Sequence, residues 1–244
     1  VDHAHIETQG NIFVGHGVLG TPLAHGEQIT PDKNLKTFLS CQGECHVHFA
    51  QFVEIHAGGN IFVKELLLHS RVTSNQSVIV GEESNPKGNL IGGITKAHDE
   101  VNVNSAGAPA TIITRIDFSS AYQAAKKQLQ NCEDTLDEHQ KTLIYLNQLL
   151  KKLGAKETSP DVEENIAKVR LTRDHTETEI KNTEAQCAKL TTEMDNISHS
   201  KLIFNQVAHS GVIVEMLDQT YQIRSSVKAG SLFYQGKEIR LAQI

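Results

Sequence analysis

An identical repeat of five residues constrains the fold more than any other feature of this sequence. The string GNIFV occurs at residues 10–14 and again at residues 59–63. Glycines in similar settings follow one another at steps of 16, 17 and 16 residues, at Gly10, Gly26, Gly43 and Gly59. A turn residue followed by a short β-branched strand at this interval is typical of stacked solenoid coils, in which each coil buries its apolar face only against its neighbours. The repeat therefore predicts a β-solenoid.

Strand alternation assigns the side chains of each predicted rung to the inside or the outside of the solenoid. The inward set comprises Ile12, Val14, Cys45, Val47, Ile61, Val63, Val78 and Val80. The outward set, called the predicted stripe, comprises Phe13, His46, Phe62, Ile79 and Ile213. Monomeric proteins seldom expose apolar patches of this kind. The predicted stripe is therefore either a surface for docking a partner or a surface that another segment covers.

The apolar period changes from 2 to 3.5 between residues 119 and 200, which predicts two coiled-coil helices. Gly154 suits the end of the first helix, and Ser159 and Pro160 suit the cap and the start of the second. The seam of the first helix includes Tyr122, Leu129, Leu136, Leu143, Leu146 and Leu150. The seam of the second includes Val162, Ile166, Val169, Ile180, Leu190 and Met194.

If these helices fold back on each other, Leu153 faces Val162, and Cys132 faces Thr183, so no disulfide between Cys132 and Cys187 is expected. The polar pair His139 and Thr176 in the middle of the seam is typical of residues that fix the register. β-type alternation returns after residue 200. The predicted organisation is a β domain over residues 1–118, an antiparallel hairpin inserted over residues 119–200, and strands over residues 201–244 that complete the β domain.

Charge and composition exclude several classes of function. The formal net charge is −6 and there is no basic block, which argues against nucleic-acid binding. No apolar run has the length of a membrane span, and the first residues show neither an initiator Met nor a signal-peptide pattern. We therefore expect a fragment of a longer protein without a membrane span, and the four scattered cysteines indicate reduced cytosolic thiols.

Two local motifs contain residue types that are typical of cofactor or metal sites. Gly15, Gly17 and Gly20 satisfy G-x-G-x-x-G, but no helix pattern follows them, so we predict solenoid turns and no dinucleotide cofactor. A second group combines metal-competent residues, Cys41, Cys45, His46 and His48. Cys45 should point inward while the two histidines point outward, so we predict no metal site here. The alternative is an adventitious site built by histidines that stack in adjacent coils. No catalytic motif is present, and we predict that the chain is not an enzyme.

Several strings, in their order around the helices, resemble the C-terminal region of the flagellar assembly protein A family. They are A-G-G-N-I-F-V at 57–63, H-S-x-V at 69–72, I-G-G-I-T-K-A at 91–97, T-I-I-T-R-I at 111–116, G-V-I-V at 211–214 and G-K-E-I at 236–239. This resemblance implies a right-handed parallel β-helix with a coiled-coil insertion and no catalytic activity. It also implies a cytoplasmic role, with the cell pole as one location, in assembling or placing the flagellum.

The resemblance further implies protein partners, namely flagellar-pole proteins and, as in some members, the glucose-specific IIA component of the sugar phosphotransferase system. The leading hypothesis is thus an interaction scaffold. One alternative is a homo-oligomer of the bactofilin type, in which coil ends stack into a polymer. Another is a carbohydrate-active β-helix enzyme, which would need a catalytic cluster on the outer face and longer loops. Neither feature is evident in the sequence.

Overall fold

The computed structural model describes the chain except for residues 1, 2, 25, 26, 28, 31, 33, 83–85, 111, 156–159, 198 and 244, and the side chains of residues 196 and 197. Two compact units are present, and each is treated by itself. The first comprises Val1–Tyr122 and Ile197–Ile244, and the second comprises Gln123–Asn196. Within the described residues, no helix is both long and apolar enough to cross a membrane.

The described part of the first unit contains one hydrogen-bonded sheet of 15 strands. The strands before the helices are β1 (His5–Thr8), β2 (Ile12–Leu19), β3 (Thr37–Cys41), β4 (Cys45–Gln51), β5 (Val53–Ala57), β6 (Ile61–Ser74), β7 (Val78–Val80), β8 (Asn89–Lys96), β9 (Glu100–Ala106) and β10 (Thr114–Asp117). The helices are α1 (Ser119–Gly154) and α2 (Pro160–Ile197). The remaining strands are β11 (Lys201–Ala208), β12 (Val212–Met216), β13 (Gln219–Gln222), β14 (Val227–Gln235) and β15 (Glu238–Gln243).

Parallel pairing arranges these strands in three columns of rungs, as a β-solenoid requires. Column 1 stacks residues 12–14, 45–47, 61–63, 78–80, 101–103 and 202–204. Column 2 stacks residues 17–19, 49–51, 66–68, 89–91, 105–106 and 207–208. Column 3 stacks residues 5–8, 38–41, 54–57, 71–74, 93–96, 114–117 and 212–215. The predicted β-solenoid is therefore present, and its right hand remains a prediction.

The core of this unit lies inside the three columns. Seven of the eight residues predicted to point inward are buried, and Val14, on the first rung, is half-buried against the same core. Column 3 contributes a second inward row, which runs through Leu39, Ile55, Val72, Thr95 and Ile116. Because β-branched and apolar residues recur at every second position of each rung, the stacked coils bury one continuous core.

Glycines form the turn between columns 3 and 1, and they explain the repeat. The Gly43 amide donates to the Gly10 carbonyl at 3.1 Å, and the Gly59 amide donates to the Gly43 carbonyl at 2.9 Å. One predicted step is wrong, however. Strand β2 pairs directly with β4, so the described residues between 20 and 36 add no rung to columns 1 and 2. Gly26, where that coil was predicted to begin, lies outside the described residues.

Antiparallel strands cover the last coil. Strand β13 pairs antiparallel with β12, β14 pairs antiparallel with β11, and β15 pairs antiparallel with β14. Parallel stacking of coils therefore ends at β11 and β12. No described strand covers the first coil in this way. Strand β1 pairs only with β3, and β2 pairs only with β4, within the sheet that the structure describes.

The second unit consists of the two packed helices. Helix α1 ends at Gly154 and α2 begins at Pro160, as the turn signals predict, whereas the predicted cap Ser159 lies outside the described residues. Lys151 and Lys152 in the last turn of α1, and Asp161 and Glu163 in the first turn of α2, complement the two helix dipoles. The Cys132 Sγ lies 3.5 Å from the Thr183 carbonyl oxygen, in agreement with the predicted register.

Candidate partner-docking surface

Three outward side chains of column 1 form a stack of rings, called the aromatic ladder: Phe13, His46 and Phe62. The register sets Phe13 opposite His46 and His46 opposite Phe62. Their ring centroids are 4.6 and 4.5 Å apart, and the planes differ by only 22° and 21°. This spacing is close to the distance between neighbouring strands, so in-register rungs bring the rings into contact. Phe13, at the end of the ladder, is 69% exposed.

A carboxylate fixes the central ring of the ladder. The His46 Nε2 lies 3.0 Å from the Glu44 Oε2, and the Asn60 Nδ2 donates to the Glu44 Oε1 at 3.4 Å. These hydrogen bonds, first that with His46 and then that with Asn60, lower the pKa of Glu44. The carboxylate therefore stays ionised near neutral pH and holds the imidazole nearly parallel to the two phenyl rings that stack on it.

A groove of about 470 Å³ runs beside the ladder. Its lining includes Val14, Val47 and Val63, and charge is supplied by Lys64 and Glu82, which form an ion pair of 2.9 Å. The groove also passes Gly15. A Cβ built on Gly15 would meet no atom within 4 Å, so the groove is open there. An apolar groove with a charged margin is suited to an apolar side chain of another protein.

The outward row continues past the ladder with residues that the sequence analysis did not single out. Ile79 lies opposite Phe62, as the predicted stripe requires, and Asn102 follows opposite Ile79. The Asn205 Nδ2 donates to the Asn102 Oδ1 at 3.1 Å and to the Asn104 Oδ1 at 3.2 Å. Along column 1, the outward side chains therefore change from aromatic rings, through Ile79, to amides. The pattern Val101-Asn102-Val103 repeats the alternation of residues 78–80 and could have revealed this extension.

The assignment of Ile213 to the predicted stripe is wrong. Ile213 lies in β12, where it pairs with Arg115, and belongs to column 3. The same alternation occurs on every column, so the string G-V-I-V could not show which column its strand joins. The column 1 strand after the helices is β11, and Ile203 occupies the position opposite Asn102.

The chain covers part of the outer side of column 3 itself. Ile94 is buried by Ile29 and Leu35, and half-buried Leu23 packs against the same cluster. Nearby, Arg71 donates to the Glu54 carboxylate at 2.8 Å and to the Thr30 carbonyl oxygen at 2.7 Å. A segment of the chain therefore covers an outer surface of the solenoid at column 3, whereas the sequence suggested such a cover for the predicted stripe. Phe13 is 69% exposed, so none of the residues that the structure describes covers the end of the ladder in this way.

The metal-competent group of the sequence analysis is divided between two environments. Cys41 and Cys45 are buried free thiols, whereas His46 and His48 lie on the outer side of β4. Burial, with a smaller contribution from neighbouring Cys41, raises the pKa of Cys45 to about 12, so this thiol does not ionise near neutral pH. The His48 Nε2 lies 3.3 Å from Glu65, which also binds Lys87. Across the described residues, no cluster of three His, Cys, Asp or Glu side chains is arranged to hold a metal.

The glycines of the G-x-G-x-x-G string belong to the solenoid. Gly15 and Gly17 lie within β2, where the register shifts between columns 1 and 2. A Cβ on Gly17 would lie 2.1 Å from the Phe49 ring, and one on Gly20 would lie 1.9 Å from the Phe52 carbonyl oxygen. Close approach of the next coil therefore accounts for Gly17 and Gly20.

The seam residues of the hairpin occupy the less exposed side of their helices. All twelve predicted seam residues are buried or half-buried. Cys132, Thr176 and Thr183 are buried as well, while Ile144 and Tyr145 between the seam positions are 59% and 63% exposed. Cys132 and Cys187 are free thiols, and a hydrogen bond with Cys132 is the largest of the causes that raise the pKa of Cys187 to about 11.

The sequence matches the model of a known protein family. Residues 1–239 match the model of the Flagellar Assembly Protein A beta solenoid domain, so the match covers nearly the whole chain. The chain belongs to this family. Membership in the flagellar assembly protein A family confirms the resemblance seen in the sequence and relates the chain to flagellar assembly. No curated protein and no solved structure gives a significant match.

Proposed function

We propose that this chain is a non-enzymatic scaffold of flagellar assembly or polar placement that binds partner proteins through the aromatic ladder and its groove. Family membership supports the flagellar role. The ladder is the observation that carries the binding role, because stacked rings of this kind are normally buried and Phe13 is 69% exposed. Aromatic residues beside a groove are also the residue type that dominates binding energy in protein interfaces.

The partners we propose are flagellar-pole proteins and the glucose-specific IIA component of the phosphotransferase system. The proposed location is the cytoplasm, with recruitment to the cell pole through these partners. Binding of the IIA component would couple flagellar assembly to sugar supply. In this proposal the helical hairpin is an antiparallel coiled coil inserted into the β domain, and it serves as a second surface for partners.

Binding of the purified IIA component to the full chain and its variants tests the proposal by titration calorimetry. We expect Phe62→Ala to weaken binding by at least about tenfold, because it removes one ring of the ladder and widens the groove. Phe38→Ala is the matched control, since Phe38 lies in column 3 between His5 at 4.9 Å and His56 at 5.4 Å. Equal losses for Phe62→Ala and Phe38→Ala, or no binding by the unmodified chain, would contradict the proposal for this partner.

A shortened hairpin separates the contributions of the two units. Removing residues 137–150 and 166–179 takes two heptads from each helix and preserves the predicted register and the turn. If the ladder is the main docking surface, this variant retains the affinity that Phe62→Ala loses. Loss of binding in the shortened variant alone would move the docking surface to the hairpin.

A further inference from the structure

The inner rings of the aromatic ladder present their edges, and not their faces, to the outside. One face of His46 lies against Phe13 and the other against Phe62, with ring centroids 4.6 and 4.5 Å apart and planes that differ by 22° and 21°. On its other side, Phe62 lies opposite Ile79 of the following rung. The exposed parts of His46 and Phe62 are therefore ring edges, and a further segment stacked on Phe13 would leave both edges exposed.

Ring edges select the chemistry of the group that packs on them. The edge of an aromatic ring is partly positive and its face is partly negative, so an edge attracts the face of another ring. A carboxylate would be attracted as well, but Glu44 lies beside the edges, and Lys64, which lines the groove, is already paired with Glu82. A sugar ring packs its C–H groups on ring faces, which are covered here. The groove therefore fits an uncharged aromatic side chain.

A second recess, of about 430 Å³, adjoins the groove, because Gly81 and Glu82 line both. Its lining also includes three amides, those of Asn102, Asn104 and Asn205. Asn102 lies two rungs beyond Phe62, which is about 10 Å at the usual spacing between strands. An extended peptide covers this distance with about three residues. A single short segment can therefore reach both recesses.

The amides leave one acceptor and one donor for a ligand. The Asn205 Nδ2 uses both hydrogens, toward the Oδ1 atoms of Asn102 at 3.1 Å and Asn104 at 3.2 Å, and no described residue donates to the Asn205 Oδ1. The Asn102 Nδ2 donates to the Glu100 Oε1 at 3.1 Å, which leaves one of its two hydrogens. A peptide unit supplies one N–H and one C=O, so it matches this pair.

We infer that the docking surface binds an extended segment of the partner, with an aromatic residue in the groove and a main-chain peptide unit about three residues along on Asn102 and Asn205. The segment runs along the stack of coils and across the strands, so it adds no strand to the sheet. This binding mode rests on the proposed function, which assigns the groove to a partner protein, and it adds the chemistry of the segment that the groove accepts.

Synthetic peptides test the aromatic anchor without the natural partner. The probe is a blocked peptide with one phenylalanine followed by four glycines, and its control carries cyclohexylalanine, which has a similar volume but no aromatic face. Titration of the ¹⁵N-labelled full chain, followed by the NMR signals of His46 and Phe62, gives both dissociation constants. We expect the phenylalanine peptide to bind at least about twofold more tightly, because an edge-to-face pair adds to the burial of apolar area. Equal or tighter binding of the control, or binding of neither, would overturn the inference.

Two variants locate the contact on the ladder. Phe62→Leu keeps an apolar side chain but removes a ring edge, so the preference for phenylalanine over cyclohexylalanine should disappear. Phe38→Leu is the matched control in column 3 and should retain the preference. A preference that survives in Phe62→Leu, or that both variants lose, would overturn the inference.

Peptides with N-methylglycine at one glycine at a time test the main-chain contact, because each lacks one N–H. We expect one of them to bind the unmodified chain at least about threefold more weakly than the parent peptide, and to equal the parent on Asn205→Ala, which lacks the acceptor. Equal binding of all these peptides to the unmodified chain would overturn the inference, as would binding of cellohexaose in place of the peptides. Failure of the IIA component to bind would leave these peptide results unchanged, so the two proposals fail separately.

Discussion

Thr95 is a polar residue in an apolar row. It is 1% exposed and lies between Val72 and Ile116 in column 3, and its hydroxyl has no hydrogen-bond partner among the described residues. Burying an unpaired hydroxyl costs about 1–3 kcal/mol. We therefore expect Thr95→Val to raise the free energy of unfolding by about 1 kcal/mol, measured by urea denaturation.

Thr37 is the matched control for this substitution. It is also fully buried, but its hydroxyl donates to the Leu19 carbonyl oxygen at 3.3 Å. Thr37→Val should lower stability, because it removes a hydrogen bond and leaves the carbonyl without that donor. If both variants change stability in the same direction, the unpaired state of the Thr95 hydroxyl is not the cause.

Gly58 tests the close approach of successive coils at the turn. A Cβ at this position would lie 2.2 Å from the Gln42 carbonyl oxygen, which belongs to the backbone and cannot move away without shifting the coil. We expect Gly58→Ala to lower the free energy of unfolding by about 2 kcal/mol or more. Gly15→Ala, which meets no atom within 4 Å, should change it by less than about 0.5 kcal/mol. Similar values for the two alanine variants would contradict this account of the turn.

At the scale of residues, the sequence predicts the direction in which a side chain points better than it predicts which side chains it contacts. Alternation identified Ile12, Cys45 and Ile61 as inward, and it placed Phe13, His46 and Phe62 on the outside, where they stack. Stacking itself depends on which rungs are adjacent, which alternation does not encode. For the same reason Ile213 was assigned to the wrong column.

Asp117 connects strand β10 to the start of α1. It accepts hydrogen bonds from the Ser119 amide at 2.7 Å and from the Ser120 hydroxyl at 2.6 Å, and Lys96 lies 3.4 Å away. Burial alone would raise the pKa of this carboxyl group, but the bonds from Ser120 and Ser119 and the charge of Lys96 lower it overall. The ionised form is therefore favoured in the folded state.

The lowered pKa gives a prediction about acid stability. A carboxyl group whose pKa falls on folding stabilises the protein above its unfolded pKa of about 3.9, and this contribution is lost as the pH falls through the folded pKa. We expect Asp117→Asn to be less stable than the unmodified chain at pH 7, with a difference that shrinks as the pH falls below about 4. Urea denaturation at a series of pH values measures it. A difference that is constant with pH would exclude the ionised carboxylate as the cause.

The seam of the helical hairpin is tested by two neighbouring leucine-sized side chains. Leu146 is 8% exposed, whereas Ile144 is 59% exposed. We expect Leu146→Ala to destabilise the helices by about 2–4 kcal/mol and Ile144→Ala by less than about 0.5 kcal/mol. Thermal unfolding of the full chain, followed by circular dichroism at the helix band, compares them. Equal shifts of the helical transition would contradict the assignment of the seam.

At the scale of elements, the helices were more predictable than the solenoid turns. The period of 3.5, Gly154 and Pro160 are local signals, and the helix ends agree with them. Residues 20–36 carry apolar residues without a strand period, and the glycine spacing predicted one coil of the solenoid in this segment. Ile29 and Leu35 are instead buried against Ile94, and half-buried Leu23 packs on the same cluster, a long-range contact that no local pattern indicates.

At the scale of the whole molecule, the repeat GNIFV predicted stacked coils, and its glycines, Gly10 and Gly59, each bond to Gly43 of the coil between them. The family match over residues 1–239 then relates these coils to flagellar assembly. The surface that performs the proposed function was predicted in part, since three of its rings were named but the groove and the amide extension at Asn102 and Asn205 were not. Both depend on the register between coils of unequal length.

The most direct test of the proposed scaffold role is photo-crosslinking in living cells from position 62. A photoreactive phenylalanine analogue replaces Phe62 in one strain and the control Phe38 in another, and the crosslinked proteins are identified by mass spectrometry. The account predicts a flagellar-pole or phosphotransferase protein crosslinked at position 62 and absent at position 38. Crosslinks to such proteins from position 38 alone, or none from position 62, would contradict the claim that the aromatic ladder binds the partners of this protein.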